Sequence, residues 1–334
     1  MNLLMNKKRS DFVSVKENVL KKLIESDGFV SGQELAESLS VSRNAIWKAV
    51  RSLSNDGYSI DAVNNKGYKL NNHYRVLSAE NIKANLDTNV YGRKLIVLSE
   101  IDSTNNYAKK LAVNGVENGT AVVSDYQTAG KGRMGRSFFS PKGAGLYVSL
   151  VIRPDMDIIS AQLITSCTAV AVAEAIEKLC DCEIKIKWVN DLFINDKKLC
   201  GILTEASMNF EERHLEYAVI GIGINICTAE DTPYELKKII TSIEQATGIA
   251  VDRNVLCGEV LNSLERHMLN IKSREFINEY RRRSFIFGKK VEVVGNGKLK
   301  KGTAVGIDEN ANLIVKLDEG QKITVNSGEA RIVK

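Results

Sequence analysis

The sequence predicts an α+β protein built from more than one domain, and three observations carry that reading. At 334 residues and 44% apolar content, the chain can bury two or three packed cores. Its first 75 residues read as short helices followed by a hairpin, and its middle alternates strand-like with helical runs. From about Phe287 it breaks into short β runs split by turn residues, the pattern of a small barrel-like domain. The expected domains are 1–75, 76–285 and 286–334, with a polar linker near 71–77.

Val15, Val19, Leu20, Leu23 and Ile24 repeat with a helical period, and Gly28 after Ser26-Asp27 suits a C-cap. Ser31 can cap a short helix through Leu39, Ser40-Val41-Ser42 makes a tight turn, and Ser42 can cap a second helix to about Asn55. Ile46, Ala49, Val50 and Leu53 form the inward stripe of that helix, while Arg43, Asn44, Trp47, Lys48 and Arg51 lie on its other face. Beyond Asp56-Gly57, YSIDAVNNKGYKL gives two strand-like runs around Asn64-Asn65-Lys66-Gly67, a wing. Helix-turn-helix plus wing is a DNA-binding arrangement: the second helix enters the major groove and a basic wing tip approaches the backbone. Ser42, Arg43, Asn44, Trp47, Lys48, Arg51 and Lys66 are the expected DNA contacts, against the competing reading of a helix pair used for protein contacts. Charge agrees weakly with DNA, since residues 1–75 hold 12 Lys and Arg against 8 Asp and Glu and the rest holds 34 against 33.

In the middle, KLIVLSEI, TAVVSDY, GLYVSLVI, IKIKWV, DLFI and EYAVIGIGINI read as strands, and STNNYAKKLAV and SAQLITSCTAVAVAEAIEKLC as helices. Between them lies TAGKGRMGR, with Gly130, Gly132 and Gly135 at the G-x-G-x-x-G spacing. A dinucleotide fingerprint requires those glycines to end a strand and open a helix. Here Gln127-Thr128-Ala129 intervenes and SFFSPKG follows with no helical period, so that reading fails. What is left is backbone freedom with three cations, Lys131, Arg133 and Arg136, which suits either a phosphate-gripping loop or a basic surface turn. Upstream, Asp102 or Ser103 can cap a helix whose N-terminus presents Ser103, Thr104 and Asn105; downstream, Lys187 ends a strand beside Trp188, followed by Asn190 and Asp191.

Taken in order, STNNYA, QTAGKGRMGR, KWVNDLF, KKLCGILTE and GIGIN are similar to the biotin-protein ligase family, and the winged helix resembles that of its bifunctional members that repress biotin genes. The resemblance spans nearly the whole chain. It implies a central mixed α/β ligase domain related to class II synthetase-like folds and an SH3-like C-terminal domain. It also implies an enzyme that joins biotin to the α-phosphate of ATP, with Mg²⁺ accompanying the nucleotide and no metal ligated by protein. The acyl group then passes to a lysine of a biotin carboxyl carrier protein. By the same resemblance Lys187 and Arg133 serve the chemistry, and Ser103, Thr104, Asn105, Gln127, Gly130, Lys131, Gly132, Arg133 and Lys187 bind biotin. Lys131, Arg133, Arg136, Lys187, Asn190 and Asn225 contact the nucleotide, and the adenylate promotes a homodimer on operator DNA. Two positions depart from the family: Val189 stands where proline is usual, and Lys131 where arginine is frequent, which keeps charge but loses the guanidinium fork.

The six cysteines make no C-x-x-C pair, which points to reduced, mostly buried thiols of a cytoplasmic protein. The opening MNLLMNKKRSDF lacks an apolar run of signal-peptide length, and no later run approaches a membrane span.

Overall fold

The computed structural model describes residues 15–333 except 25, 27, 56–57, 59, 71–75, 158–159, 210–213, 296–297 and 327. The basic opening, Asp27, Asp56-Gly57, most of the 71–77 linker and the Asn296-Gly297 turn therefore lie outside the described residues. The chain divides into two compact units, Met1–Val76 and Leu77–Lys334.

The first unit holds α1 (Val15–Ile24), α2 (Gly32–Ser38), α3 (Arg43–Asn55), β1 (Ile60–Val63) and β2 (Gly67–Leu70). Both predicted caps form: Ser31 Oγ accepts from the Glu34 amide at 3.0 Å and Ser42 Oγ from the Ala45 amide at 3.2 Å. Val19, Leu23, Leu35, Ile46, Leu53 and Leu70 close one small core, which contains the inward stripe of α3. β1 and β2 pair antiparallel, and Tyr68 also pairs with Val30. Gly67 is required there: its φ is +103°, and a Cβ would stand 2.1 Å from the Val30 carbonyl oxygen.

The second unit opens with α4 (Ala79–Lys83), β3 (Leu95–Leu98), α5 (Thr104–Val113), β4 (Ala121–Ser124), β5 (Gly145–Ile152) and α6 (Ala161–Leu179). It continues through β6 (Lys185–Lys187), β7 (Asp191–Ile194), β8 (Lys197–Asn209) and β9 (His214–Asn225), then α7 (Tyr234–Lys237), α8 (Ile243–Thr247), α9 (Arg253–Leu269) and α10 (Phe276–Arg283). Seven strands form one sheet in the order β3-β4-β5-β9-β8-β7-β6, in which only β3 and β4 run parallel. β5 is buried along its whole length, α5 packs on β4, β5 and β9, and α6 packs on β7, β8 and α9. The long strand β8 is absent from the strand-like runs of the sequence. A bulge in its pairing with β7 puts Leu199 and Cys200 inside in succession, so apolar alternation is lost.

The chain ends in β10 (Lys290–Gly295), β11 (Lys298–Ile307), β12 (Leu313–Leu317), β13 (Lys322–Val325) and β14 (Ala330–Ile332), an antiparallel sheet ordered β13-β12-β11-β10-β14. All six cysteines are free thiols, four of them buried. Among the described residues no helix is long and apolar enough to cross a membrane.

Candidate active site

One cleft of about 920 Å³, part of it open to solvent, gathers residues far apart in sequence. Ser103, Thr104 and Asn105 come from the first turn of α5, Gln127 from the segment after β4, and Lys131, Gly132, Arg133 and Arg136 from the glycine loop. Lys187 and Asn190 flank the β6–β7 turn, and Gly201 to Leu203 of β8 with Gly221 to Gly223 of β9 supply backbone walls.

The α5 cap is unusual. Ser103 sits at the N-cap without a side-chain cap bond, and Gln127 Oε1 instead accepts the Thr104 amide at 2.9 Å. The Ser103 hydroxyl is thereby left for the cleft, while Gln127 Nε2 is held by Ser140 Oγ at 2.8 Å. Asn105 is buried against β9, where a Cβ on Gly221 would lie 2.1 Å from Asn105 Oδ1; this strand position needs glycine for close approach, not for backbone conformation.

The glycine loop is a small hairpin with no helix after it, so the dinucleotide reading stays excluded. The Phe138 amide donates to the Gly130 carbonyl at 2.8 Å, the Gly132 amide to the Arg136 carbonyl at 2.7 Å, and Arg133–Gly135 forms a single 3₁₀ turn at the tip. Gly130 anchors the base and does not line the cleft. The three cations have different partners. Lys131 Nζ donates to Asn106 Oδ1 at 2.6 Å, Arg133 Nη1 to Asn190 Oδ1 at 3.1 Å, and Arg136 pairs with Glu329 of the C-terminal sheet. Burial pulls the Arg133 guanidinium below its usual value, opposed by the charges of Asp191 and Glu329.

Lys187 closes β6 and lines the cleft. Among the described residues no carboxylate lies within ion-pair distance of it; Asp191, its register partner, is paired with Lys198 Nζ at 2.7 Å without hydrogen-bond alignment. The turn after Lys187 is fixed from outside the sheet, by Trp188 Nε1 donating to the Ala311 carbonyl at 2.9 Å and by the Tyr280 hydroxyl donating to the Val189 carbonyl at 2.9 Å. The Trp188–Val189 peptide is cis.

Asn225 is placed apart from this cleft. Its Nδ2 donates to the Thr241 carbonyl at 3.0 Å, and it lines a second cavity with Cys227, Ile240, Thr241 and Gln245. Lys198 lines the first cavity, and its backbone pairs with Ile239 and with Thr241, which lines the second. Sequence reasoning missed Phe138, whose ring lies over Gly201 and Gly223, and also Lys198, Ser149, Glu205 and Glu329. Glu329 lies in SGEARIV, where no family position could be transferred.

In the first unit Arg43, Asn44, Trp47 and Arg51 line a groove with the wing residues Asn64 and Asn65. Trp47 is 47% exposed, with the Arg51 guanidinium 5.2 Å from its ring centroid. Lys48 and Lys66 are exposed, Lys66 near the Phe29 ring, and the exposed Ser42 hydroxyl accepts its cap bond from the Ala45 amide.

Comparison with known proteins agrees with both units. The Biotin/lipoate A/B protein ligase family matches residues 97–225, an HTH domain matches 15–69, and the Biotin protein ligase C terminal domain matches 286–331. The bifunctional ligase/repressor BirA of Bacillus subtilis (strain 168) is 38% identical over 299 residues, covering 88% of this chain and 91% of that protein. BirA of Escherichia coli (strain K12) is 31% identical over 317 residues, covering 92% and 96%. The biotin protein ligase from Aquifex aeolicus, solved in complex with biotin and ATP, matches with a TM-score of 0.62 at 29% identity, over 72% of this chain and 99% of that one. With a helix-turn-helix DNA-binding domain ahead of a biotin-ligase catalytic domain, the chain belongs to the biotin-protein ligase family and stands with its bifunctional ligase/repressors.

Proposed function

We propose that the cleft activates biotin with ATP, that the product is biotinyl-5'-AMP, and that the acyl group passes to a lysine of a biotin carboxyl carrier protein. The observation that carries this reading is Lys187, a cation lining the cleft with no carboxylate within ion-pair distance among the described residues. A carboxylate and a triphosphate repel each other, and a positioned ammonium offsets that repulsion while charge builds at the α-phosphorus.

In the first step a biotin carboxylate oxygen attacks the α-phosphorus, the bond to the β-phosphate oxygen breaks, and pyrophosphate leaves with the electron pair. In the second, the neutral carrier amine attacks the acyl carbon, AMP departs, and the amine loses a proton. Ser103, Thr104 and Gln127 hold the ureido ring, and Lys187 and Arg133 hold the carboxylate and α-phosphate. Lys131 and Arg136 meet the nucleotide through donors not already used on Asn106 and Glu329, or by exchanging those partners for phosphate oxygens. Asn225, whose amide is bonded to the Thr241 carbonyl in the second cavity, is a contact for the base only if that bond is exchanged. Burial under the glycine loop protects the mixed anhydride from water.

The donor set does not fit a protein-held metal: among the described residues no three His, Cys, Asp or Glu side chains are grouped for one, and Asp191 and Glu329 are already paired with cations. Magnesium would enter with ATP, as part of that substrate.

The three domains are proposed at 1–75, 76–285 and 286–334, supported by the split after Val76 and by the C-terminal match at 286–331. The first binds operator DNA through α3 and the wing; the adenylate favours a dimer that pairs two half-sites, in the cytoplasm. Incubating the chain with biotin, labelled ATP and an apo carrier domain tests the ligase half. Labelled pyrophosphate and biotinylated carrier are expected, and release of neither would refute it.

A further inference from the structure

Beneath α5 a chain of polar groups that the reaction above does not use, Lys109, Glu205, Asn105 and Ser149, leads to Thr104. Lys109 Nζ donates to Glu205 Oε1 at 2.8 Å. Asn105 Nδ2 donates to Glu205 Oε2 at 3.0 Å and to the Leu203 carbonyl at 3.3 Å. Burial would raise the Glu205 carboxyl, but the bonds from Lys109 and Asn105 outweigh it and hold the group below its ordinary value. Glu205 is thus an ionised acceptor, and the Leu203 carbonyl is a neutral one with no proton to give. The Asn105 amide must turn its NH₂ toward them and its Oδ1 away.

On that other side Ser149 Oγ, fully buried, stands 2.6 Å from Asn105 Oδ1 and 2.8 Å from Thr104 Oγ1. A serine hydroxyl has one proton, and the amide oxygen has none, so the Ser149 proton goes to Asn105. The proton between the Ser149 and Thr104 oxygens is then that of Thr104. Gln127 Oε1, 3.1 Å from Thr104 Oγ1, keeps the Thr104 backbone amide at 2.9 Å. Once its hydrogen points at Ser149, Thr104 has only a lone pair to offer the cleft.

We propose that Glu205, held by Lys109, is a positioning residue that fixes the direction of this chain and so makes Thr104 an acceptor for a ureido N–H of the substrate. The role rests on the assignment of the cleft to biotin. It adds that the preference for a donor at this point is set by a carboxylate two side chains away from Thr104. Without Glu205 only the longer bond to the Leu203 carbonyl, at 3.3 Å, holds the Asn105 amide; once the amide turns over, Ser149 can give its proton to Thr104, and Thr104 can offer either character.

Equilibrium dialysis of the full chain with biotin, and with the two cyclic carbamate analogues in which one ureido N–H is replaced by oxygen, tests this. The wild type is expected to bind biotin about tenfold more tightly than one of the two isomers, the size of a single buried donor–acceptor match. Glu205→Ala is expected to shrink that ratio to about twofold, chiefly through tighter binding of that isomer, to whose ring oxygen Thr104 can then donate, with biotin affinity little changed. Glu205→Gln keeps an acceptor for Asn105 and should restore the ratio, with Lys109 swinging to solvent. Should Glu205→Ala fail to fold, Ser149→Ala cuts the same chain at its middle and should lose the same ratio. An unchanged ratio in both variants, or an equal loss for all three ligands, overturns the role of Glu205. Failure of the wild type to bind biotin would instead remove the assignment of the cleft, and the role with it.

Discussion

Arg136 and Glu329 meet as a bidentate pair, Nη2 to Oε2 at 2.6 Å and Nη1 to Oε1 at 3.1 Å, so the glycine loop is tied to the C-terminal sheet. The pair is solvent-exposed and contributes little to global stability, on the order of 1 kcal/mol or less. Its consequence is local, because it fixes one flank of a loop whose other flank is held by Lys131 on Asn106.

Glu329→Gln is expected to speed release of bound adenylate by up to about fivefold, the kinetic equivalent of an exposed ion pair, with the melting temperature nearly unchanged. A filter-binding chase with labelled adenylate measures this. An unchanged release rate would show that the loop does not depend on the tether.

Acid should act in the same direction. The hydrogen bond and charge of Arg136 hold the Glu329 carboxyl below its ordinary value of 4.5. A depressed carboxyl contributes above the unfolded value, and its contribution is lost as pH falls through the folded one. Adenylate release should therefore accelerate only below about pH 4.5. Glu329→Gln, already without the charge, should lack that component; an identical acid limb in both proteins would assign it to another group, such as Glu205.

Gly221→Ala places a methyl group where Asn105 Oδ1 now approaches. Overpacking of this kind costs about 1–3 kcal/mol, and here it displaces the α5 cap as well. Calorimetric titration with biotin should show affinity lowered by more than about tenfold. Retention of full affinity would mean that Asn105 is not held as described.

Removing residues 1–75 should leave ligation measurable and abolish DNA binding. In the full chain, gel shifts and sedimentation should show DNA affinity and dimerisation rising with biotin plus ATP, rising less with either alone, and falling when apo carrier is added. Reciprocity requires dimerisation to tighten adenylate binding by the same factor. Equal dimerisation and DNA binding in all four conditions would leave no switch.

Much of this site was legible because its residues sit at element ends with strong local signals. Ser31 and Ser42 announce their helices, Lys187 ends its strand, and the glycines of TAGKGRMGR cannot open a helix before SFFSPKG. The missed residues act across the fold. Ser149 is one serine in an apolar strand until β5 lies against α5, and Glu205 is one acid in an irregular strand until Lys109 reaches it. Glu329 lies 193 residues from Arg136, and no periodicity links such positions. The GIGIN motif groups Asn225 with the nucleotide contacts, whereas its side chain turns to Thr241 in a second cavity.

Biotin-dependent exchange of labelled pyrophosphate into ATP, compared between the wild type and Lys187→Ala, tests most directly whether this cleft activates biotin. Exchange by the wild type is expected, with a fall of roughly 10²–10³-fold or more in the variant, the scale for losing a preorganised charge at the reacting centre. Exchange in Lys187→Ala near the wild-type rate would remove Lys187 from the chemistry and contradict the placement of the reaction in this cleft.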